Sequence, residues 1–518
     1  MWKKLVLLLL GLLNILSLTA SETNKVVRYE DFGAAGDGKT NDAQAIYKAH
    51  QYANKHRLPV RAKDDAHYYI GEMEKVIMIG TDTDFGKARF TIDDRKLTRN
   101  SDKPVFSVVT ERKYSGINIR KNVSSLQKGQ SKLDIKLPYP AMINVRSDQS
   151  RHFIRYGNNA NNGSWIQDVF LVDEDGNVDP TTPILWDFEK IRSITALPIP
   201  AEKRVIRGGV FTTLANAEKG PHKYYSRNIR INRSNTVLEN ITHLVKEPKS
   251  RQSFPYAGFI SIGGCANVLV KDCVFTGHKV YHCIKPNSPS TTTGTYDISL
   301  HAAINVTFLN CRQSNDIYDN TWGIMGSNRC KNLVYDNCRL SRFDAHQGVC
   351  NATIRNSEVG KSGIHVTGFG TLLVENCVFR RNRLVNLRID YGSFWDGDII
   401  IRNSVWHIGA RETRPTVLTG KNSGKHYFGY QCRMPRTIKI ENLLVKDGKC
   451  TKRYKGIALL GDFGCQYGAP GVDHPIEPTE KIIISNLKTE SGKGCYLSPV
   501  PQAYKKVKVI RESAVSAR

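Results

Sequence analysis

A short phrase, apolar-x-apolar-x-Asn/Asp followed by Cys or Ser, recurs along the second half of the chain. It reads VLVKDC ending at Cys273, VTFLNC at Cys311, LVYDNC at Cys338, ATIRNS at Ser357, LLVENC at Cys377 and IIIRNS at Ser404. Weaker copies surround Asn240, Asn442 and Asn486. The shortest intervals, Asn337 to Asn356 to Asn376, are 19 and 20 residues, and the longer ones read as the same unit plus an insertion. Each phrase alternates apolar and polar residues, as a half-buried strand does.

A unit of that length is too short for a helical hairpin, and the leucine framework of a leucine-rich repeat is missing. It fits a coil of short strands and turns stacked on its neighbour. The repeat therefore predicts an all-β chain, a right-handed parallel β-helix, with clear coils over about 225–490. The Asn markers should form a ladder of side-chain amides along the stack. Cys273, Cys311, Cys338 and Cys377 should stack beside it as reduced, small, buried hydrophobes. Any disulfides are then left to Cys432, Cys450, Cys465 and Cys495.

Lys3 and Lys4 precede an apolar run from Leu5 to about Leu18, with Ala20 at its end, the layout of a secretory signal peptide and short for a membrane span. Residues 1–20 are read as that signal and 21–518 as one β-helix domain with inserted loops. The expectation is an exported protein, periplasmic or secreted, with no membrane insertion. The formal net charge of +27 points to a polyanionic partner. The basic residues are spread over the whole chain, with no compact basic tail, which favours a long acidic polysaccharide in a groove over nucleic acid.

Residues 29–53, YEDFGAAGDGKTNDAQAIYKAHQYA, carry a more specific signal. The segment resembles the opening of the pectate-lyase-like superfamily, in which Asp-Phe-Gly-Ala-x-Gly-Asp-Gly-x-Thr precedes a helix that caps the β-helix. Gly36 and Gly38 suit a tight turn, Thr40 or Asn41 can N-cap the helix, and Ala45, Ile46 and Ala49 face the first coil. Lyases, hydrolases, epimerases and phage tailspikes share this opening, so the resemblance implies the fold more than the reaction. The polygalacturonase signatures are only echoed, by GIHVTG and LRID. The aspartate clusters of pectate lyases and the Asn-Gly-(Gly/Ala)-Glu signature of the chondroitinase B group are absent from the sequence.

The other strand of each coil supplies a candidate site. Placing Ile284, Ile324, Ala345, Ile364 and Ile389 inward turns the next residue of each outward, giving the column Lys285, Met325, His346, His365 and Asp390. Two positions earlier lie Cys283, Gly323, Asp344, Gly363 and Arg388, with the glycines leaving room for a ligand. On this reading His346 and His365 stack one coil apart. We assign His346, His365, Arg388, Tyr391, Asp344 and Asp390 to catalysis and Lys285, Trp322, His282 and Arg383 to substrate binding. No metal ligands are assigned, because flat strand faces rarely wrap an ion unaided.

Cations and imidazoles on one face suit β-elimination from a uronate, with glycosaminoglycans (chondroitin, dermatan, hyaluronan or heparan types) ranked first. A neutral histidine abstracts the C5 proton, Tyr391 or the second histidine protonates the leaving oxygen, and an aspartate orients an imidazole. Arg388, Lys285 or a divalent cation such as Ca²⁺ neutralises the carboxylate. Two other readings stand beside this one. A glycoside hydrolase would use Asp344 and Asp390 about 10 Å apart, near the inverting range. A non-catalytic polysaccharide-binding β-helix would use the same groove and leave the polymer intact.

Overall fold

A computed structural model describes residues 26–97, 102–111, 114–155, 161–216, 224–246, 255–276, 281–285, 288–293, 295–318, 325–464 and 472–512. The signal-peptide segment, Trp322 and Cys465 lie outside these residues, and His282 and Lys285 are described by their backbone alone.

The Asn-marked phrases build the spine of the molecule. Leu238, Val270, Phe308, Tyr335, Ile354, Val374, Ile401, Ile440 and Ile484 pair in succession, one coil above the next, through parallel strands. All nine are buried, so each coil presents an apolar side chain to the coil above and below. Burying one such side chain stabilises the fold by roughly 1.5–3 kcal/mol. Among the described residues 31 strands join one sheet, the wall of a parallel β-helix. No helix of the described residues is long and apolar enough to cross a membrane.

The markers turn the chain at the end of each strand. Asn240, Asp272, Asn310, Asn337, Asn356, Asn376, Asn403, Asn442 and Asn486 all adopt the left-handed conformation, with φ between 50° and 61°. Asn and Asp tolerate that region better than most residues. Their amides stack as expected: Asn310 Nδ2 donates to Asp272 at 2.9 Å, Asn337 to Asn310 at 2.9 Å, Asn376 to Asn356 at 3.2 Å and Asn486 to Asn442 at 2.8 Å. Asn356 instead donates to Asp336 at 2.8 Å. A second ladder, Asn267, Asn305, Asn332 and Asn351, runs along the opposite end of the same strands and escaped the sequence reading. Replacing Asn310 with Ala should lower stability by about 1–3 kcal/mol, from left-handed strain and two lost amide bonds. Asn310→Gly, which keeps the turn, should lose less; thermal unfolding midpoints of the two variants test the ranking.

Cys273, Cys311, Cys338 and Cys377 are buried free thiols, and Cys450 and Cys495 are also unpaired. The cap helix, Ala43–His56, buries Ala45, Ile46 and Ala49 against the first coils. Its entry differs from expectation. Asp42 is the N-cap, Asn41 Oδ1 accepts from the Ala43 N–H at 3.2 Å, and Thr40 instead bonds Asp37. Asp42 itself binds the Ala35, Gly36 and Tyr69 N–H groups, tying the glycine turn to the cap.

The stretch without clean repeats splits into early coils and one large excursion. Ile117–Asn118, Ala141–His152, Ser164–Val172 and Ser193–Pro198 form a four-stranded antiparallel sheet with its own apolar cluster. It docks on the β-helix through Met142, Val169 and Leu171 against Ala266, Ala302 and Ile304. A buried ion pair pins it there, Lys331 Nζ to Asp168 at 2.9 Å. This docking carries residues 152–155 and Trp186 across the strand Arg339–Arg355.

Candidate active site

The outward column expected from the sequence is not the one the strands make. Phe343, Ile364, Val385, Leu418 and Leu460 form the inward row. The row beside it runs Asp344, His365, Asn386 and Thr419. His365 therefore stacks on Asp344, and His346 lies two residues further along its strand. Met325 pairs with the inward Ile298, so the outward position of that strand is Gly326, over which the Tyr296 ring packs. Ile389 is not inward: it is 57% exposed and opens a short 3₁₀ turn, Ile389–Tyr391. Gly363 leaves no room for a ligand either, because Arg381 fills the space a Cβ would need.

The predicted catalytic residues nevertheless converge, through ion pairs rather than through a stack. Asp344 is fully buried and receives Arg342 at 2.7 Å, Arg388 at 2.8 Å and His346 Nε2 at 3.1 Å. Arg388 turns its other edge to Asp390, at 2.9 and 3.1 Å. Asp390 also receives Arg155, from the inserted sheet, at 2.8 Å. Three guanidiniums against two carboxylates leave the cluster with one net positive charge. Tyr391 is buried beneath it, its ring facing Arg388 at 5.8 Å and Arg155 at 5.9 Å. Phe153 packs edge-on against that ring, and the Tyr430 hydroxyl donates to the Tyr391 backbone carbonyl at 2.6 Å.

These contacts set the protonation states. Although burial alone would raise it, the charges of Arg342, His346 and Arg388 hold the Asp344 carboxyl well below the usual range. Asp390 is lowered in the same way, against its burial, by Arg388 and Arg155. Two aspartates bridged by one guanidinium are closer than the two-coil separation expected, and both stay ionised. The His346 imidazole is pushed below its ordinary value, first by burial and then by Arg388, with Asp344 opposing. His365 is pushed down to about 3 by burial and the charges of Arg342, Arg381 and Arg388. Burial and neighbouring guanidiniums, not repulsion between two imidazoles, keep both histidines neutral.

The ionised Asp344 carboxylate, 3.1 Å from His346 Nε2, favours a proton on that nitrogen by charge. The Tyr296 hydroxyl lies 3.3 Å from the same nitrogen. The lone pair is left on Nδ1, on a side chain 19% exposed. Sequence reasoning missed four members of the site. Arg342 and Arg381 are outside the column it aligned, Tyr296 sits two coils earlier, and Arg155 arrives from the excursion. Arg381 is the most informative of these. Its Nε and Nη1 are buried without an acceptor beside His365, and burial lowers its pKa to about 10. Arg383 stands apart from the cluster, exposed and paired with Thr416 one coil on.

Among the described residues no group of three or more His, Cys, Asp and Glu side chains converges as a metal site. Asp344 and Asp390, the candidate oxygen donors, are both occupied by guanidiniums, a donor set that does not fit Ca²⁺.

No protein-family model matches the chain. A 94-residue stretch is 28% identical to the capsule KL64-specific depolymerase of Klebsiella phage P510, covering 16% of this chain and 9% of that protein. Among solved structures, the tailspike gp61 of Pseudomonas phage phi297 is similar over 94% of this chain and 84% of its own, with a TM-score of 0.56 and 14% identity. The tailspike gp49 of Pseudomonas phage LKA1 is similar over 89% and 81%, with a TM-score of 0.50 and 13% identity. At such identities these likenesses show the parallel β-helix and leave the reaction to the site itself.

Proposed function

We propose that the chain degrades an acidic, uronate-containing polysaccharide by β-elimination, with glycosaminoglycans as the first substrates to test. The observation that carries this reading is His346: an imidazole kept neutral by burial and Arg388, partly exposed and facing an ionised aspartate through Nε2, so that Nδ1 is the nitrogen we assign as base. His346 takes the C5 proton, the C5–H electron pair becomes the C4=C5 double bond, and the O4 substituent leaves. Tyr296, hydrogen-bonded to His346, is assigned as the proton donor to that oxygen. Tyr391 is placed to pack between two guanidiniums instead. The developing charge on the uronate carboxylate falls to Arg381, whose donors have no partner, and to the net positive cluster behind it. Arginine rather than Ca²⁺ supplies the neutralising charge.

The phage depolymerase likeness supports polysaccharide breakdown in general terms and does not choose the reaction. The pKa pattern does bear on that choice. A two-carboxylate hydrolase needs one carboxyl raised so that it can donate a proton. Asp344 and Asp390 are both lowered. The test is ultraviolet absorbance of the purified protein mixed with chondroitin sulfate, dermatan sulfate, hyaluronan, heparan sulfate, pectate and alginate, with and without EDTA. We expect absorbance from the unsaturated product on at least one polymer, unchanged by EDTA. Shortened chains without absorbance would mean hydrolysis, loss of the signal with EDTA would restore a metal, and intact chains would mean a binding protein.

A further inference from the structure

The row that begins at Asp344 does not end at the histidines. It continues through His365 and Asn386 to Thr419, whose hydroxyl bonds Asn386 Oδ1 at 2.6 Å, and Thr419 packs on Gly461 of the next coil. Thr419 and Gly461 are also part of the wall of a cleft of about 870 Å³ whose cations are Arg383, Arg414, Arg453 and Lys455. At about 4.8 Å per coil, Thr419 lies roughly 10 Å from His365 along the helix axis.

All four cations are exposed, and among the described residues none of their side chains forms a hydrogen bond or an ion pair. The one carboxylate in the cleft wall, Asp462, accepts from the Gly464 N–H at 2.8 Å. Four cations against one carboxylate in a single concavity leave an excess of positive charge that is unfavourable for the folded chain alone, and an anion relieves it. Arg383, in the cleft wall, is also close enough to Arg381 for its charge to lower the Arg381 pKa, so the two cationic groups are electrostatic neighbours.

We propose that this cleft is a second anion-binding subsite, taking the sulfate or carboxylate of a saccharide residue on the same chain that passes over His365. It rests on the proposed polysaccharide substrate but not on the elimination chemistry. The polymer lies along the helix axis, with the reacting uronate at His346 and Arg381 and a later acidic group held by Arg383, Arg414, Arg453 and Lys455. The Asn386 and Thr419 side chains form the polar floor between the two.

Binding of chondroitin sulfate, hyaluronan, polygalacturonate and alginate is measured by affinity electrophoresis for the wild type, Arg414→Glu/Arg453→Glu, the milder Arg414→Gln/Arg453→Gln, and a control, Lys39→Glu/Lys48→Glu, on the distant cap. The cleft reversal should weaken binding about tenfold or more and flatten its salt dependence, because two direct charge contacts become repulsive. The glutamine pair should fall between, and the control, with the same net charge change, should stay within about threefold as screened distant charges do. A larger loss on chondroitin sulfate than on hyaluronan identifies sulfate as the bound group; equal losses identify carboxylate. Equal effects of cleft and control reversals, unchanged binding in the cleft variants, or no binding of any polymer by the wild type would overturn the proposal. Cleavage is scored separately, so an intact polymer with cleft-dependent binding would refute the elimination and leave the subsite standing.

Discussion

Asp344→Asn should destabilise the protein by about 3–5 kcal/mol, the penalty for stripping the partner from a buried charge cluster. The substitution keeps the shape of the side chain and removes only its charge. Arg342, Arg388 and His346 then face a neutral amide at a position that is itself fully buried. Arg388 and Arg155 both retain Asp390, while the ion pair of Arg342 with Asp344 is lost. Urea unfolding at neutral pH measures the difference. The pH dependence supplies an independent check with a definite sign. The folded carboxyl titrates well below its unfolded value, so its contribution is fully present above about pH 4, the unfolded pKa, and is lost as pH falls through the folded pKa. The gap between wild type and variant should therefore close in acid. A gap that stays constant down to pH 2, or a variant as stable as the wild type at neutral pH, would show that Asp344 is not the electrostatic keystone of the site.

The same cluster explains what a reader of the sequence can and cannot see. The spine was legible because one physical requirement, a left-handed turn after every strand, selects Asn or Asp at a fixed place in each coil. All nine markers found by spacing adopt that turn. The site was legible in membership and wrong in register. Arg339 pairs with Glu358, an offset of 19, but Arg342 pairs with Gly363, an offset of 21, and Val349 returns to 19 with Gly368. Two extra residues around Lys361, whose N–H is drawn out to the Ile317 carbonyl at 3.0 Å, are compensated by two extra residues around His346 within the same coil. The net period is unchanged, so the nineteen-residue interval between the histidines looked like a stack when it is a pair of opposed bulges. Such bulges re-aim side chains, and this one sets His346 against Asp344. Arg155 was illegible for a different reason: it reaches Asp390 only because a separate sheet docks across the coil, a contact between residues 235 positions apart that no local pattern encodes.

Replacing His346 with Ala should lower kcat/KM on the responsive polymer by about 10²–10⁴-fold, the usual contribution of a positioned general base. Binding of the polymer should change little, since Arg381 and the basic cleft remain. The wild-type profile carries the sharper signature. The active form of the base is the neutral imidazole, so kcat/KM rises with pH and levels off above its pKa. Burial and Arg388 place that pKa below 6.5, so the plateau should already be reached near neutrality and the acid limb should lie on the low side of 6.5. His365, held near 3, is neutral across the whole working range and cannot shape that limb. His365→Asn should therefore leave the position of the limb where it is, whereas His346→Gln abolishes it along with most of the rate. Full activity in His346→Ala would remove the base from the mechanism. An acid limb that moves with His365→Asn and not with His346 would transfer the role to the other imidazole, which the Arg342, Arg381 and Arg388 charges make a much weaker base. The elimination reading thus stands on one imidazole, His346, and on the ionised aspartate beside its Nε2.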